Sequence, residues 1–256
     1  MKPKRTLVER FIPYVTPALV RDFAPPPERV DDGLWVLDRR LRMPGGPLLP
    51  TRTTIVALPS GGLLAISPPP VAAGGLDALD ALGRVEHVVA PNSFHHLNVA
   101  GFLARYPRAR FHAAPGLFAR VPGLPAGIEL GDDAPEEWRG VVEQAALDNG
   151  RGASEVAFFH RDSATLVLTD LAFHMVRFAG ALDRLAWRLS GVPAGFGPSR
   201  TARLLLLQDP APVAPFLRRV LGWPFRRVIV AHGDALEQDA AATFRRAFAK
   251  WLPPGA

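Results

Sequence analysis

Short apolar segments separated by turn-forming residues run through this sequence and restrict it to short strands and helices; the chain contains 27 prolines and 23 glycines. Residues 52–58 and 63–67 have strand character and flank Gly61 and Gly62, which is typical of a hairpin. Residues 33–37 form another candidate strand before them. The first third of the chain is therefore predicted to be an antiparallel meander.

The pattern changes after residue 75, because Leu76, Leu79 and Leu82 recur at helical spacing and a short apolar strand follows. From there strands and helices alternate, and the last third is mostly helical. A loop rich in Pro and Gly is predicted for residues 115–135, and a final helix after Asp234, which is a plausible N-cap. The predicted strands are 85–90, 110–113, 156–160, 164–169 and 226–231, and the other predicted helices are 99–105, 175–189, 201–207 and 212–221.

Composition excludes several classes of protein. The chain has no cysteine, which rules out disulfide scaffolds, thiolate zinc sites, iron–sulfur clusters and cysteine nucleophiles. With 48% hydrophobic residues and a net charge of +6, it can bury a substantial core. Prolines in the first 29 residues favour an irregular arm, so we expect an arm at 1–29 and one domain at 30–256.

The charge pattern bears on partners and compartment. No run of 18 apolar residues exists, so no membrane span is predicted, and the interrupted N-terminus does not resemble a signal peptide. We therefore expect a cytoplasmic protein. The pI is near 10.6, but the arginines are scattered among acidic residues, so a small-molecule substrate or ligand is favoured over nucleic acid. The oligomeric state stays open.

Polar residues follow three of the predicted strands at the point where each ends. His95 and His96 come after strand 85–90, Asp170 after strand 164–169, and His232 after the last strand. Residues beyond the carboxyl ends of strands collect in one crevice of an open sheet. Imidazoles and a carboxylate are the ligands that zinc, iron or manganese takes from a protein without thiols, so the sequence indicates a metal site.

Each of these residues also has a structural interpretation. In an extended backbone His95 and His96 cannot both point the same way, so either could be the ligand. Asp170 also suits an N-cap for a helix beginning near His174. The remaining histidines are interpreted as ordinary surface or strand residues; they are His87, His112 and His160.

The order of elements and four short motifs resemble a known family. The motifs are Pro91-Asn92-Ser93-Phe94-His95-His96-Leu97, Tyr106-Pro107-Arg108-Ala109, Thr169-Asp170-Leu171-Ala172-Phe173-His174 and Ala231-His232-Gly233-Asp234. They are similar to the DUF4336 branch of the metallo-β-lactamase-like superfamily, from about residue 30 to near the end. The resemblance implies an α+β fold, a four-layer αββα sandwich.

The sequence departs from the active members of that superfamily, which carry His-x-His-x-Asp-His after the first of these strands. Asn92 and Phe94 fall where the two leading histidines would be. Asp148 or Asn149 stands near the position of a further missing histidine, and Ser67 with three prolines replaces the usual Asp-Thr-Gly. Asp170 corresponds to the bridging carboxylate of the family and His232 to its last histidine.

Taken together, these residues imply a reduced, mononuclear site made of Asp170, His232 and one or both of His95 and His96. Water held by zinc, iron or manganese would attack an ester, lactone, amide or phosphoester. The alternative is a metal-free binding or scaffolding protein on the same fold. Insertions at 115–135 and 175–223 are expected to line the crevice. Further candidates for lining the site are Asn92, Phe94, Asp148, Asn149, His174 and Asp234.

Overall fold

The computed structural model of the chain describes residues 24–71 and 76–252, and also the backbone of a two-residue strand at Ala18–Leu19. Most of the arm predicted for residues 1–29 therefore lies outside the described residues. The described part contains two β-sheets with helices packed against them.

The first sheet has eight strands in the order β1-β3-β4-β5-β6-β7-β8, with β2 paired to β3. Strands β3, β4 and β5 are antiparallel neighbours, which confirms the predicted meander, and Gly61 turns with a φ of 80°. From β5 to β8 the neighbours are parallel. The strands are β1 (Ala18–Leu19), β2 (Glu28–Asp31), β3 (Leu34–Arg42), β4 (Leu48–Ala57), β5 (Leu63–Ile66), β6 (Val85–Ala90), β7 (Arg110–Ala113) and β8 (Ile128–Glu129).

The second sheet has four strands in the order β12-β11-β10-β9. Strand β11 is antiparallel to β10 and parallel to β12, so the residues after β11 and β12 emerge at one edge. Strand β9 was not predicted from the sequence. The strands are β9 (Val142–Asp148), β10 (Ser154–His160), β11 (Thr165–Leu168) and β12 (Arg227–Val230).

Seven α-helices lie in the described residues. They are α1 (Leu76–Asp80), α2 (Val99–Arg105), α3 (Leu117–Arg120), α4 (Ala181–Leu189), α5 (Arg200–Leu205), α6 (Pro210–Leu221) and α7 (Ala240–Phe248), followed by a 3₁₀ turn at Ala249–Trp251. Helix α3 and strand β8 fall within residues 115–135, so the prediction of a plain loop there was wrong. In that part of the chain the helix and the strand are only four and two residues long, too short to show a periodic pattern.

Two helices begin later than predicted. Residues 175–180 are not helical, because the backbone at His174 pairs with Gly233 and holds the chain extended. The last helix begins at Ala240 rather than after Asp234, because Leu236 pairs with Val228 through two backbone hydrogen bonds. In both cases tertiary pairing of the backbone replaced a helical signal that is visible in the sequence.

Adjacent residues of the central strands pack in different cores, as the two-residue period of a strand requires. Val56 of β4 and Phe158 of β10 share one core between the two sheets. Ile55 packs on the opposite face with residues of α1 and α2, and Phe159 packs with residues of α6 and α7. The helices therefore cover the outer faces of two sheets that face each other, as an αββα arrangement requires.

Among the described residues, no helix combines the length and the apolar character that a membrane crossing requires.

Candidate metal centre

Three loops that follow strands of both sheets meet at one point. His95 lies in the loop after β6, Asp170 follows β11, and His232 follows β12. The sheets are joined beside this point, where the backbone of Asn92 bridges to Glu155. The expected convergence of polar residues at strand ends is therefore present, and it involves both sheets.

The donor atoms of these three residues are close to one another. Nε2 of His95 lies 3.3 Å from Nε2 of His232 and 3.3 Å from Oδ2 of Asp170. Nε2 of His232 lies 3.1 Å from Oδ1 of Asp170. The side chains are 8%, 6% and 17% exposed for His95, His232 and Asp170, so a bound group would be largely shielded from bulk water.

Hydrogen bonds on the opposite ring atoms fix both imidazoles. Nδ1 of His232 donates to the carbonyl oxygen of Pro50 at 2.7 Å, and Nδ1 of His95 lies 2.5 Å from Oγ of Ser67. A carbonyl oxygen can only accept, so the Nδ1 of His232 carries a hydrogen and the Nε2 of the neutral ring carries a lone pair. That nitrogen faces the carboxylate of Asp170, and two acceptors at this distance repel unless a proton on Nε2 or a metal cation lies between them.

The close approach of Asp170 and the two histidines also accounts for the pKa shifts of His232 and Asp170. Burial alone would lower the pKa of His232, but the hydrogen bond and negative charge of Asp170 outweigh it and raise that pKa above its ordinary value. Burial would raise the pKa of Asp170, but the charge of His95 and hydrogen bonds with both histidines lower it. The site therefore favours an ionised carboxylate next to positive charge.

The spacing of the donors also fits a metal ion bound between them. A tetrahedral zinc ion holds nitrogen and oxygen ligands at about 2.0–2.2 Å, which places neighbouring ligand atoms about 3.3–3.6 Å apart. The separations of 3.1–3.3 Å among His95, Asp170 and His232 come close to this range. Two imidazoles and one carboxylate also match a three-ligand set that leaves a fourth position open.

Asn92 connects the loop of one sheet to the carboxylate of the other. Its Oδ1 accepts the backbone N–H groups of Phe94 and His95, both at 2.8 Å, and so sets the turn that presents His95. Its Nδ2 donates to Oδ2 of Asp170 at 2.6 Å and to Oγ1 of Thr169 at 2.9 Å. Asn92 thus holds two of the three donors in place while donating no lone pair to the centre itself.

Glu155 lies beneath Asp170 and was not singled out from the sequence. Its carboxylate accepts the backbone N–H groups of Thr169, Asp170 and Leu171 at 2.8–2.9 Å. Burial, together with the negative charge of Asp170, raises the pKa of Glu155 to about 7. The signal available in the sequence was an acidic residue inside β10, a strand whose seven residues are all buried.

His96 and Phe94 lie beside the three donors without joining them. His96 is 8% exposed, and its pKa is lowered by burial. Phe94 contributes to the wall of the adjoining cavity. The structure thus brings His95, rather than His96, to within 3.3 Å of the other donors.

The other site candidates make local contacts. Asn149 accepts the N–H groups of Arg151 and Ala153 and stabilises the turn after β9, and Asp148 is exposed there. The structure does not bring either of them into the donor group. His174 is outside the donor group, with Nδ1 3.1 Å from the carbonyl oxygen of Asp234. The carboxylate of Asp234 forms an ion pair with Arg177.

The three histidines interpreted as surface or strand residues are all strand residues, and all three are buried, so none of them is a surface residue. His87 and His112 lie on neighbouring strands with Nδ1 and Nε2 3.0 Å apart. His160 lies at the end of β10, where Nδ1 is 2.7 Å from Oγ of Ser163. In the described residues they belong to the cores of the sheets rather than to the donor group.

A cavity of about 570 Å³ opens onto the three donors. Residues 187–206 form part of its wall, as expected for the helical insertion at 175–223. Residues 115–135, all of which the structure describes, contribute none of the wall, so that part of the expectation was wrong. They pack instead beside β7, where Gly127 passes the backbone of Phe111 so closely that a Cβ would lie 2.6 Å from its carbonyl oxygen.

Solved structures similar to this chain share its fold at low sequence identity. The flavodiiron core of Flv1 from Synechocystis sp. PCC6803 has a TM-score of 0.61 at 12% identity, covering 92% of this chain and 61% of the Synechocystis chain. The FIM-1 metallo-β-lactamase from Pseudomonas aeruginosa in its mono-zinc form has a TM-score of 0.59 at 14% identity, covering 93% and 97%. A metallo-β-lactamase from Pontibacter korlensis has a TM-score of 0.61 at 14% identity, covering 87% and 98%.

These similarities show a metallo-β-lactamase-like fold. No curated protein matches the sequence. The profile of the family described as "Domain of unknown function (DUF4336)" matches residues 31–185, more than half of the chain. This chain therefore belongs to the DUF4336 family, on a metallo-β-lactamase-like fold.

Proposed function

We propose that this protein is a metal-dependent hydrolase whose mononuclear site is formed by His95, Asp170 and His232. The observation that carries the proposal is the mutual approach of their donor atoms to 3.1–3.3 Å, with both imidazoles turned so that Nε2 faces the centre. The similarity to metallo-β-lactamases and to flavodiiron cores makes zinc or iron the first metals to test.

A bound divalent ion supplies Lewis acidity, which polarises a carbonyl group and activates water at neutral pH. The residues of this chain supply the rest. Ser67 holds the orientation of the His95 ring, and the carbonyl oxygen of Pro50 holds the tautomer of His232. Little reorganisation of the two rings is therefore needed when a metal binds. Asp170 brings a negative charge that compensates part of the charge of the ion.

Apolar neighbours limit access of water to the centre. The ring of Phe173 lies 4.8 Å from that of His232, and Phe94 lines the approach. A carbonyl group bound here would meet few competing water molecules, which strengthens its electrostatic interactions with the site. The sequence motif has lost the donors of a second ion, so we propose a single ion.

The test is metal content after growth with zinc, iron or manganese, measured by inductively coupled plasma mass spectrometry. We expect about one equivalent in the wild type, as one three-ligand site requires. His232→Ala and Asp170→Asn should lose the metal, because each removes one of three donors. The matched control is His174→Ala, which removes a nearby histidine outside the donor group.

A second measurement separates loss of metal from loss of folding. Metal at a hundredfold excess over its Kd should raise the free energy of unfolding of the wild type by about 2.7 kcal/mol. The His174→Ala protein should keep this increase, and the His232→Ala protein should lose it while remaining folded. Wild-type protein that carries none of the three metals under these conditions refutes the proposal.

A metal-free binding protein is the second candidate. The observation in its favour is the size and apolar character of the cavity beside the donors, which suits retention of a ligand without any chemistry. In that case alanine at His95 and His232 would leave ligand binding unchanged, and no metal would be found in the wild-type protein.

A further inference from the structure

The cavity next to the candidate metal centre has a distinct chemical character. All three proposed ligands lie on its wall, and its volume of about 570 Å³ is within the range of about 300–1,000 Å³ typical of small-molecule sites. Beyond the ligands, most of the wall is aliphatic or aromatic, and includes Leu41, Met43, Leu49, Trp187, Val192 and Leu206.

The apolar wall is held in place by contacts outside the cavity. Trp187 on α4 packs in one cluster with Met43, Leu49 and Val192. Its indole Nε1 donates to the carbonyl oxygen of Leu48 at 3.1 Å. On the same helix, Asp183 accepts the N–H of Leu48, also at 3.1 Å. Helix α4 is thus fixed to the start of β4, and the apolar surface is formed before any ligand arrives.

Charged groups are scarce on this wall. Among the described residues that line it, the charged side chains are Arg39 and Asp170, and the other titratable ones are His95, His96 and His232. Arg39 donates to the carbonyl oxygens of Pro25 and Asp38, and Asp170 belongs to the metal centre. Several polar side chains on the wall are already bonded within the protein: Thr53 donates to the carbonyl oxygen of Ser67, Asn98 to that of Pro68 and Ser190 to that of Ala186. A sugar, nucleotide or peptide would therefore find few free partners for its polar groups, whereas an apolar chain needs none.

The mouth of the cavity is also apolar. Leu97 and Leu204 line the cavity while being 60% and 56% exposed, so they stand where it meets solvent. The same cavity is also lined by the proposed metal ligands His95, Asp170 and His232. A linear molecule can therefore lie with one polar end at the donors and its chain along apolar side chains as far as the surface.

We infer that the cavity binds the unbranched alkyl chain of a fatty acid ester, with the ester carbonyl at His95, Asp170 and His232. Hydrolysis at the ester end rests on the proposed function, whereas binding of the alkyl chain does not require a metal. In the reaction, the oxygen of water bonds to the carbonyl carbon, the bond from that carbon to the alcohol oxygen breaks, and the released alcohol oxygen takes up a proton. The products are a fatty acid and an alcohol.

The test of chain binding uses metal-free protein and unreactive ligands. 1-Hexanol, 1-octanol and 1-decanol are titrated into EDTA-treated protein by calorimetry. We expect the affinity to rise about fourfold for each added CH₂ group, the factor that corresponds to its transfer from water. An affinity that does not depend on chain length overturns the inference.

Two pairs of variants locate the bound chain. Val192→Phe adds a ring to the wall and should weaken 1-decanol binding more than tenfold by displacing about two CH₂ groups, at about fourfold each. Val176→Phe, the same change at a position that is 51% exposed and outside the wall, should bind as the wild type does. Equal binding by these two variants overturns the inference.

Because Val192→Phe could disturb packing, Leu204→Asp provides a second variant at an exposed position. A charge at the mouth should weaken 1-decanol binding severalfold, whereas Leu189→Asp, at a position that is 70% exposed and outside the wall, should not. A Leu204→Asp protein that binds 1-decanol as tightly as Leu189→Asp also contradicts the inference.

Hydrolysis of 4-nitrophenyl acetate and decanoate by metal-loaded protein separates this inference from the proposed function. Chain-dependent binding of alkanols without hydrolysis of either ester supports the chain site and refutes the hydrolase. Equal kcat/KM on the two esters, together with no binding of alkanols, supports the hydrolase and refutes the chain site. We expect both the binding of alkanols and the preference for decanoate.

Discussion

Replacing Ser67 by alanine tests whether the hydrogen bond to His95 prepares the candidate metal centre. Oγ of Ser67 lies 2.5 Å from Nδ1 of His95, and Ser67 is only 6% exposed, so water cannot easily take its place. The backbone of Ser67 is held independently, because its carbonyl oxygen accepts from Thr53 and its N–H donates to Val89. Alanine should therefore remove the bond to His95 and little else.

The expected magnitude follows from the position of Ser67 directly behind a proposed ligand. Loss of such a partner typically weakens metal binding 10–100-fold, which is about 1.4–2.8 kcal/mol of binding free energy. The Kd for Zn²⁺, measured by competition with a chromophoric chelator near neutral pH, should rise by this factor. Folding should also weaken by about 1–3 kcal/mol, because Nδ1 of His95 is left buried without a partner.

The chain provides a matched control for this change. Oγ of Ser163 lies 2.7 Å from Nδ1 of His160, and Ser163 is also 6% exposed, but this pair lies outside the donor group. Ser163→Ala should destabilise the fold in a similar way and leave the Kd for Zn²⁺ unchanged. A Ser67→Ala protein with the wild-type Kd, or an equal change of Kd in both variants, would show that Ser67 does not prepare the site for a metal.

Two further predictions concern stability. Gly233→Ala should lower the free energy of unfolding by more than about 1 kcal/mol in urea titrations, because its φ is 123° and a Cβ would lie 2.2 Å from the carbonyl oxygen of His174; a wild-type unfolding midpoint would contradict this. Burial lowers the pKa of His112 to about 4, below the ordinary value of 6.5, so the unfolded chain binds a proton there more readily. The free energy of unfolding should therefore keep the full contribution of His112 above about pH 6.5 and lose about 3 kcal/mol as the pH drops to about 4. The His112→Phe protein should lack this part of the pH dependence, and equal pH dependence in the two proteins would refute the prediction.

Local signals predicted some elements very well. Strand Val85–Ala90, helix Val99–Arg105 and strand Arg110–Ala113 have the bounds expected from the sequence. In each, apolar periodicity and turn residues agree with the packing, so the backbone follows its local preference. Strand β9 was missed because its place in the second sheet depends on pairing with β10, which the residues of β9 alone do not reveal.

The candidate site likewise has features that local sequence signals predict and features that depend on tertiary contacts. Without cysteine, any metal in this chain must take nitrogen and oxygen donors, and the sequence alone placed those donors at the ends of three strands. The sequence could not choose between His95 and His96, because that choice depends on the turn that Asn92 imposes through its side-chain oxygen. This turn also depends on Asp170, because Nδ2 of Asn92 donates a hydrogen bond to its carboxylate across 78 positions of the sequence.

The kinds of donor, the strands that carry them and the fold family in which such strands meet can therefore be read from the residues of the chain alone. Packing of distant segments decided which nitrogen of each ring faces the centre, because Nδ1 of His232 is bound by the carbonyl of Pro50, 182 positions away in the chain. It also decided the size and apolar character of the cavity, since the wall combines residues from β3, β4, α4 and α5. Contacts between residues so distant in sequence leave no periodic pattern in the chain, and only the packed fold brings them together.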